Sequence, residues 1–146
     1  MLNRILFFAF VTVASAADVT YYKDVLPVLQ NHCQECHRPG EIGPMPLLTY
    51  QQARPWAKAI KTAVLTGKMP PWPADPHFGK FANDRSLSKA QIDTLVAWAD
   101  TNALEGNASD APKPRTWTEG WNIPKPDRVI EMPQAFSMPG AGTVEY

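Results

Sequence analysis

The stretch NHCQECHRPG, residues 31–40, contains both cysteines of the chain and two of its three histidines. Two residues separate Cys33 from Cys36, and His37 follows the second cysteine directly. A disulfide between the two would close so short a loop that it would remove little entropy from the unfolded chain. The pair is therefore expected to serve chemistry and not to staple the fold. What that chemistry can be depends on what lies on either side.

Upstream, residues 21–32 (YYKDVLPVLQNH) carry Val25, Val28, Leu29 and His32 at i, i+3, i+4 and i+7, one face of a helix. Pro27 falls in the first turn, where a backbone N–H has no partner to lose, so the helix is expected to start near Lys23 and run into Cys33. Further back, MLNRILFFAFVTVASAADV has a positive residue, Arg4, a short apolar core from Ile5 to Val13, and the small residues Ala14-Ser15-Ala16. That pattern reads as a secretory signal peptide, residues 1–16, with the mature chain starting near Ala17. The apolar run is shorter than the roughly 20 residues that span a bilayer. A periplasmic or secreted location is expected, with membrane contact only transient, through the signal.

Downstream, RPGEIGPMPLL is broken by Pro39, Gly40, Gly43, Pro44 and Pro46 and is expected to be loop. A second helical stretch begins at Thr49, where Thr49 and Gln52 have capping-box spacing, and ends at Gly67. Its apolar stripe is Ala53, Trp56, Ala57, Ile60 and Val64, and Pro55 within it predicts a kink or two helices in tandem. Residues 69–85 form a proline-rich extended loop. A third helix starts at a second capping box, Ser88 and Gln91, buries Ile92, Leu95, Val96, Ala99 and Ala103, and is expected to close at Gly106. From Asn107 the sequence becomes a proline-rich linker, to about residue 126, after which DRVIEM and GTVEY read as short strands starting a second, β-type domain over 127–146.

Composition narrows the function classes. The chain has 146 residues, no formal net charge and fifteen prolines. Balanced charge leaves no excess of Lys and Arg to neutralise phosphates, so nucleic acid is excluded as a partner. Paired catalytic carboxylates, nucleophile–base arrangements and phosphate-binding glycine loops are absent.

Cys-x-x-Cys-His is the attachment signature of c-type haem. Two cysteines on one turn can form thioethers to the vinyl groups along one side of a porphyrin, and the adjacent histidine can then coordinate iron through Nε2. The absence of any third cysteine fits, since a spare thiol would compete. Three other readings stand beside it. A thioredoxin-like redox pair would need a strand–turn–helix setting, a structural zinc site would need four ligands, and the spacing could arise by chance.

Iron bound by His37 has a second axial position, for which Met69, Met45, His77 and His32 are candidates. Met69 is preferred because Pro70, Pro71 and Pro73 restrict the backbone that presents it. Met45 is expected to pack on the histidine side of the ring, His77 to be a surface residue and His32 to be structural. Trp72, close to Met69, is the aromatic residue favoured as a haem contact.

Taken together, CQECH, GKMPPW and the helix containing LVAWADTNA resemble the small monohaem class I c-type cytochromes, over roughly residues 20–106. The resemblance implies an all-α fold, about three to four helices around one covalently bound haem c, with the first and last helices crossing and a proline-rich tail beyond. It implies thioethers at Cys33 and Cys36, proximal His37 and distal Met69. Pro39 and Gly40 match the family's turn just after the histidine, whose carbonyl often accepts the His Nδ1–H and so orients the ring, while the acceptor in this chain is left open by the sequence. The loop at 70–86 is longer than in the smallest family members.

With both axial positions filled, the expected function is one-electron transfer to redox partner proteins at an exposed haem edge, without substrate turnover. Two alternatives stay open. Residues 126–146, PDRVIEMPQAFSMPGAGTVEY, resemble the lead-in strands of a copper, ascorbate-dependent monooxygenase-like domain, for which the haem module would supply electrons. Were Met69 unbound, five-coordinate iron could bind gases or peroxide.

Overall fold

A computed structural model describes residues 18–72, 74, 75, 77–118, 124–135, 137 and 140–142. The expected signal peptide lies outside the described residues. The chain divides into two units, Met1–Pro114 and Arg115–Tyr146. Regular structure is all-α, and no strand occurs among the described residues.

The first unit opens with a π-helical turn, Tyr21–Val25, that runs into α1, Leu26–His32. The helical segment thus begins two residues before the expected Lys23. Asp24 reaches back to accept the Thr20 N–H at 2.8 Å, and the Asp24 and Val25 N–H groups donate to the Thr20 carbonyl at 3.0 and 3.2 Å. The wider π turn relieves crowding by the Pro27 ring, which in a regular helix would press on the carbonyl four residues earlier. Cys33 caps α1, its N–H donating to the Leu29 carbonyl at 2.9 Å.

α2, Tyr50–Ala53, starts at the expected capping box: Thr49 accepts from the Gln52 N–H, and Gln52 accepts from Thr49. Pro55 then tightens the chain into a 3₁₀ turn, Arg54–Trp56, before α3, Ala57–Leu65, so the stretch is helices in tandem. Ala57, Ile60 and Val64 face inward, while Trp56, on the 3₁₀ turn and out of the helical period, is 43% exposed. Gly67 closes the segment at φ +67°, a left-handed conformation that side chains disfavour.

α4, Lys89–Asp100, has the second capping box, Ser88 with Gln91, and packs against α3. Its deepest residues are Leu95 and Trp98. The helix stops at Asp100 and not near Gly106, because Asn102 and Ala103 turn left-handed at φ 62° and 51°. Two bonds hold this reversal: the Ala103 N–H donates to the Trp98 carbonyl, and the Trp98 indole N–H donates to the Leu104 carbonyl, each at 2.9 Å. Ala103 is buried as expected, but from the turn and not from the helix. The reversed chain then meets the start of the fold. Tyr21 and Tyr22 N–H donate to the Leu104 and Glu105 carbonyls at 2.8 and 3.2 Å. Gly106 lies so close to Thr20 that a Cβ there would come within 2.6 Å of its side chain.

The core forms where these segments meet: Tyr21, Val25, Leu29, Leu95 and Trp98 are the largest fully buried side chains. Tyr21 stacks edge-on against Tyr22 and Tyr50, and its hydroxyl is buried with no hydrogen-bond partner among the described residues. Residues 107–114, read from composition as linker, contribute a 3₁₀ turn at Ala108–Asp110, pack Ala111 on the core, and accept a bond from Gln30 at the Lys113 carbonyl.

In the second unit, residues 127–132 form no strand, a correction to the reading of DRVIEM. Alternation alone does not make a strand without a ladder partner. The other expected strand, GTVEY, lies almost wholly outside the described residues. Arg115 stacks on the Trp117 ring at 4.8 Å.

Candidate functional site

The last turn of α1 delivers Cys33, and the chain then coils through Cys36 and His37, whose N–H groups both donate to the Cys33 carbonyl, at 3.1 and 2.9 Å. The two cysteines are half-buried and unpaired. Burial, with a smaller contribution from Cys36, pushes the Cys33 thiol up to about 12. Cys33 also sits at the C-terminal end of a helix, where the dipole disfavours an anion. A thioredoxin-like pair needs the opposite, a thiolate stabilised at a helix N-terminus. Among the described residues no three His, Cys, Asp or Glu side chains converge on a point that could hold a metal ion.

His37 is buried, and its ring is fixed by the chain that follows. Its Nδ1 lies 3.0 Å from the Met45 carbonyl oxygen. A carbonyl can only accept, so Nδ1 carries the proton and donates, and in the neutral imidazole the lone pair is on Nε2. The acceptor is thus Met45, eight residues on, and not a carbonyl in the Pro39–Gly40 turn. Gly43 makes this possible. Its N–H donates to the Cys36 carbonyl at 2.8 Å, and a Cβ at Gly43 would come within 2.5 Å of the Cys36 carbonyl oxygen and 2.7 Å of His37 Nδ1. Leu47 completes the clamp, donating its N–H to the His37 carbonyl at 2.9 Å and accepting from the buried Gln34 amide at 2.8 Å. Outside, Arg38 pairs with Glu41 at 2.6 Å and donates to the Glu35 carbonyl.

Met69 and Trp72 belong to a second cluster. Met69 follows α3, tied by its N–H to the Ala63 carbonyl at 3.2 Å, and is 36% exposed. With Trp72, Val64, Leu87 and Ile92 it lines an open cleft of about 240 Å³. Ligand pockets usually enclose about 300–1,000 Å³, so this cleft is smaller than a usual ligand pocket and open to solvent.

Two polar contacts tie the segment around Cys33–His37 to the chain that flanks the cleft. Glu35, between the cysteines, pairs with Arg85 at 3.0 Å, and Asp84 and Ser86 on either side of Arg85 line the cleft. His32 Nε2 lies 3.0 Å from the Gln91 amide nitrogen. Because the Gln91 oxygen accepts the Ser88 N–H in the capping box, its amide donates and the His32 Nε2 accepts. His32 is therefore engaged with α4. His77 is on the surface, bonded to Asp75, whose carboxyl is held below its ordinary range first by the His77 backbone N–H and then by its side chain. Met45 is packed on the core.

The donor set has the chemistry a covalently held porphyrin would need: paired thiols on one turn, an imidazole with its Nε2 lone pair left over, and, in a separate cluster, a thioether beside an open cleft of mixed polarity that Trp72 helps to line. Gly43, Gln34, Leu47 and the Glu35–Arg85 pair escape the sequence motif. Only Gly43, a glycine in the loop directly after the histidine, carried a signal, since such a residue marks close backbone approach. Comparisons with protein families, with curated proteins and with solved structures find no match for this chain.

Proposed function

We propose that the chain is an exported c-type cytochrome whose function is one-electron transfer, with haem c attached at Cys33 and Cys36 and its iron held by His37 and Met69. The observation that carries the reading is the His37 hydrogen bond: Nδ1–H is spent on Met45, so Nε2 is the nitrogen left for a metal. The bound group supplies a metal centre that changes oxidation state with little movement of its ligands. The protein's part is to hold it. Cys33 and Cys36 would prevent its loss, the Gly43–Leu47 clamp fixes the imidazole plane, and Met69 would close the remaining axial position to small molecules. Trp72 would pack against the bound group on the Met69 side, and partner proteins would dock at its exposed edge.

Expression beside a working cytochrome maturation system tests this. A pyridine haemochrome spectrum of the c type is expected, with one haem per chain and no thiol open to alkylation. The oxidised protein is expected to show the weak near-infrared sulfur-to-iron band, lost in Met69→Ala. A colourless product with two free thiols would end the proposal. Survival of the band in Met69→Ala would end the ligand assignment alone.

A second reading places the same site in an electron-feeding module of a larger exported redox enzyme. It draws on residues 115–146, which form a unit of their own. Copper-ligand histidines or methionines encoded beyond Tyr146 would favour it.

A further inference from the structure

We propose that Asn107 is an N-glycosylation site, the acceptor of an oligosaccharide carried to the export compartment on a polyprenyl pyrophosphate. This rests on the export part of the reading above and not on the haem. Asn107-Ala108-Ser109 has the acceptor pattern, an asparagine with serine two positions on and no proline between. No other asparagine of the chain has serine or threonine in that place. Glu105 stands two positions before Asn107. The segment thus also meets the longer pattern of periplasmic transferases, which hold an acidic residue there through a charge-assisted bond.

Such a pattern serves as an acceptor when it lies on the surface of an exported chain. Asn107, Ala108 and Ser109 are all exposed. Asn107 has an extended backbone, φ −91° and ψ 126°, and caps the 3₁₀ turn Ala108–Asp110. Its Oδ1 accepts the Ser109 N–H at 3.0 Å, while its Nδ2 makes no bond among the described residues. The turn therefore uses the amide oxygen and leaves the nitrogen, the atom that a sugar joins. An amide carrying a sugar on Nδ2 keeps that oxygen as an acceptor, so the modified residue can still cap the turn.

The transfer is a displacement at the anomeric carbon. The Nδ2–C1 bond forms and the C1–O bond to pyrophosphate breaks. The lipid pyrophosphate leaves with the bonding pair, and one Nδ2 proton passes to a base of the transferase. Position also matters. Glu105 is paired with Tyr22 at the start of the first helical segment, and Cys33 follows the other end of that segment, at His32. Tyr21 to His32 spans about 18 Å at about 1.5 Å per residue. A glycan on Asn107 would stand clear of the Cys33–His37 turn.

Expression of the full chain in a bacterial host supplied with a periplasmic oligosaccharyltransferase and its lipid-linked oligosaccharide tests the proposal. Mass spectrometry of the tryptic peptide Ala90–Arg115 is the readout. That peptide also contains Asn102, an exposed asparagine followed two positions on by Leu104, as an internal control. The added mass of the oligosaccharide is expected on Asn107 and not on Asn102. Ser109→Ala should abolish it, although the backbone N–H that Asn107 accepts is still there, and Ser109→Thr should retain it. Asn107→Gln should abolish it and leave the pyridine haemochrome spectrum unchanged. Circular dichroism of each variant checks that the helices persist. An unmodified peptide from a chain whose amino terminus lies near Ala17 would overturn the site alone. A chain that keeps residues 1–16 and stays in the cytoplasm would overturn the site together with the export reading. Sugar that persists in Ser109→Ala, or that falls equally on Asn102, would overturn the assignment to Asn107.

Discussion

His37 shows how much one side chain depends on backbone that its motif does not contain. The imidazole is oriented by a carbonyl eight residues away, and that approach exists because residue 43 has no Cβ. Gly43→Ala would drive a methyl group to 2.5 Å from the Cys36 carbonyl oxygen and 2.7 Å from His37 Nδ1. Backbone must shift to relieve this, so we expect a loss of about 1–3 kcal/mol, read as a lower urea midpoint, with altered ¹⁵N shifts of the His37 ring. Unchanged ring shifts would show that the clamp does not set the tautomer.

The buried thiol at Cys33 gives a second prediction at this scale. Its folded-state value, about 12, lies above its ordinary value of 9.0, so the folded chain holds that proton more tightly than the unfolded chain. Tyr21 is shifted in the same direction, by burial first and by Tyr22 second. Stability from both is complete below their ordinary values and is lost as pH rises through the raised ones. The haem-free chain should therefore unfold at lower urea at pH 10.5 than at pH 8. A Cys33→Ala, Tyr21→Phe variant should lose most of that dependence.

At the scale of elements, the two capping boxes were legible because their geometry is local: a hydroxyl and a glutamine three residues apart fix a helix start without help from the rest of the chain. Ser88→Ala should cost about 1 kcal/mol, and it carries a further consequence, since Ser88 and Gln91 orient the amide that reaches His32. The end of α4 was not legible. The periodic pattern continues through Ala103, and the turn at Asn102 and Ala103 is imposed by the Trp98 indole bond and by pairing with Tyr21, which no local window contains. Trp98, absent from the face that periodicity assigned to the core, is at its centre. Trp98→Ala is expected to cost about 3–5 kcal/mol, enough to abolish a cooperative unfolding transition by circular dichroism.

For the molecule as a whole, composition and helical periodicity were enough to expect an all-α arrangement, and the motif singled out the Cys33–His37 turn. They did not reveal what joins that turn to the Met69–Trp72 cleft, because ion pairs such as Glu35–Arg85 link segments far apart in sequence. The strands expected near the C-terminus came from alternation alone, a signal that requires a partner strand before it has structural meaning. The boundary of the first unit also belongs to this scale. Since Ala111 packs on the core and Gln30 bonds to Lys113, a chain ending at Gly106 should melt several degrees below one ending at Pro114, with differential scanning calorimetry as the measure.

The pairing of Tyr21 and Tyr22 with Leu104 and Glu105 has a consequence for the order of events as the chain emerges, amino end first. A side-chain bond in this pairing, Tyr22 to Glu105, spans 83 positions, so the hub cannot assemble until its last partner has been made. Cys33 and Cys36 come out long before that. Over the stretch between Cys36 and Glu105, the polypeptide would carry both thiols on a scaffold whose core cannot yet close.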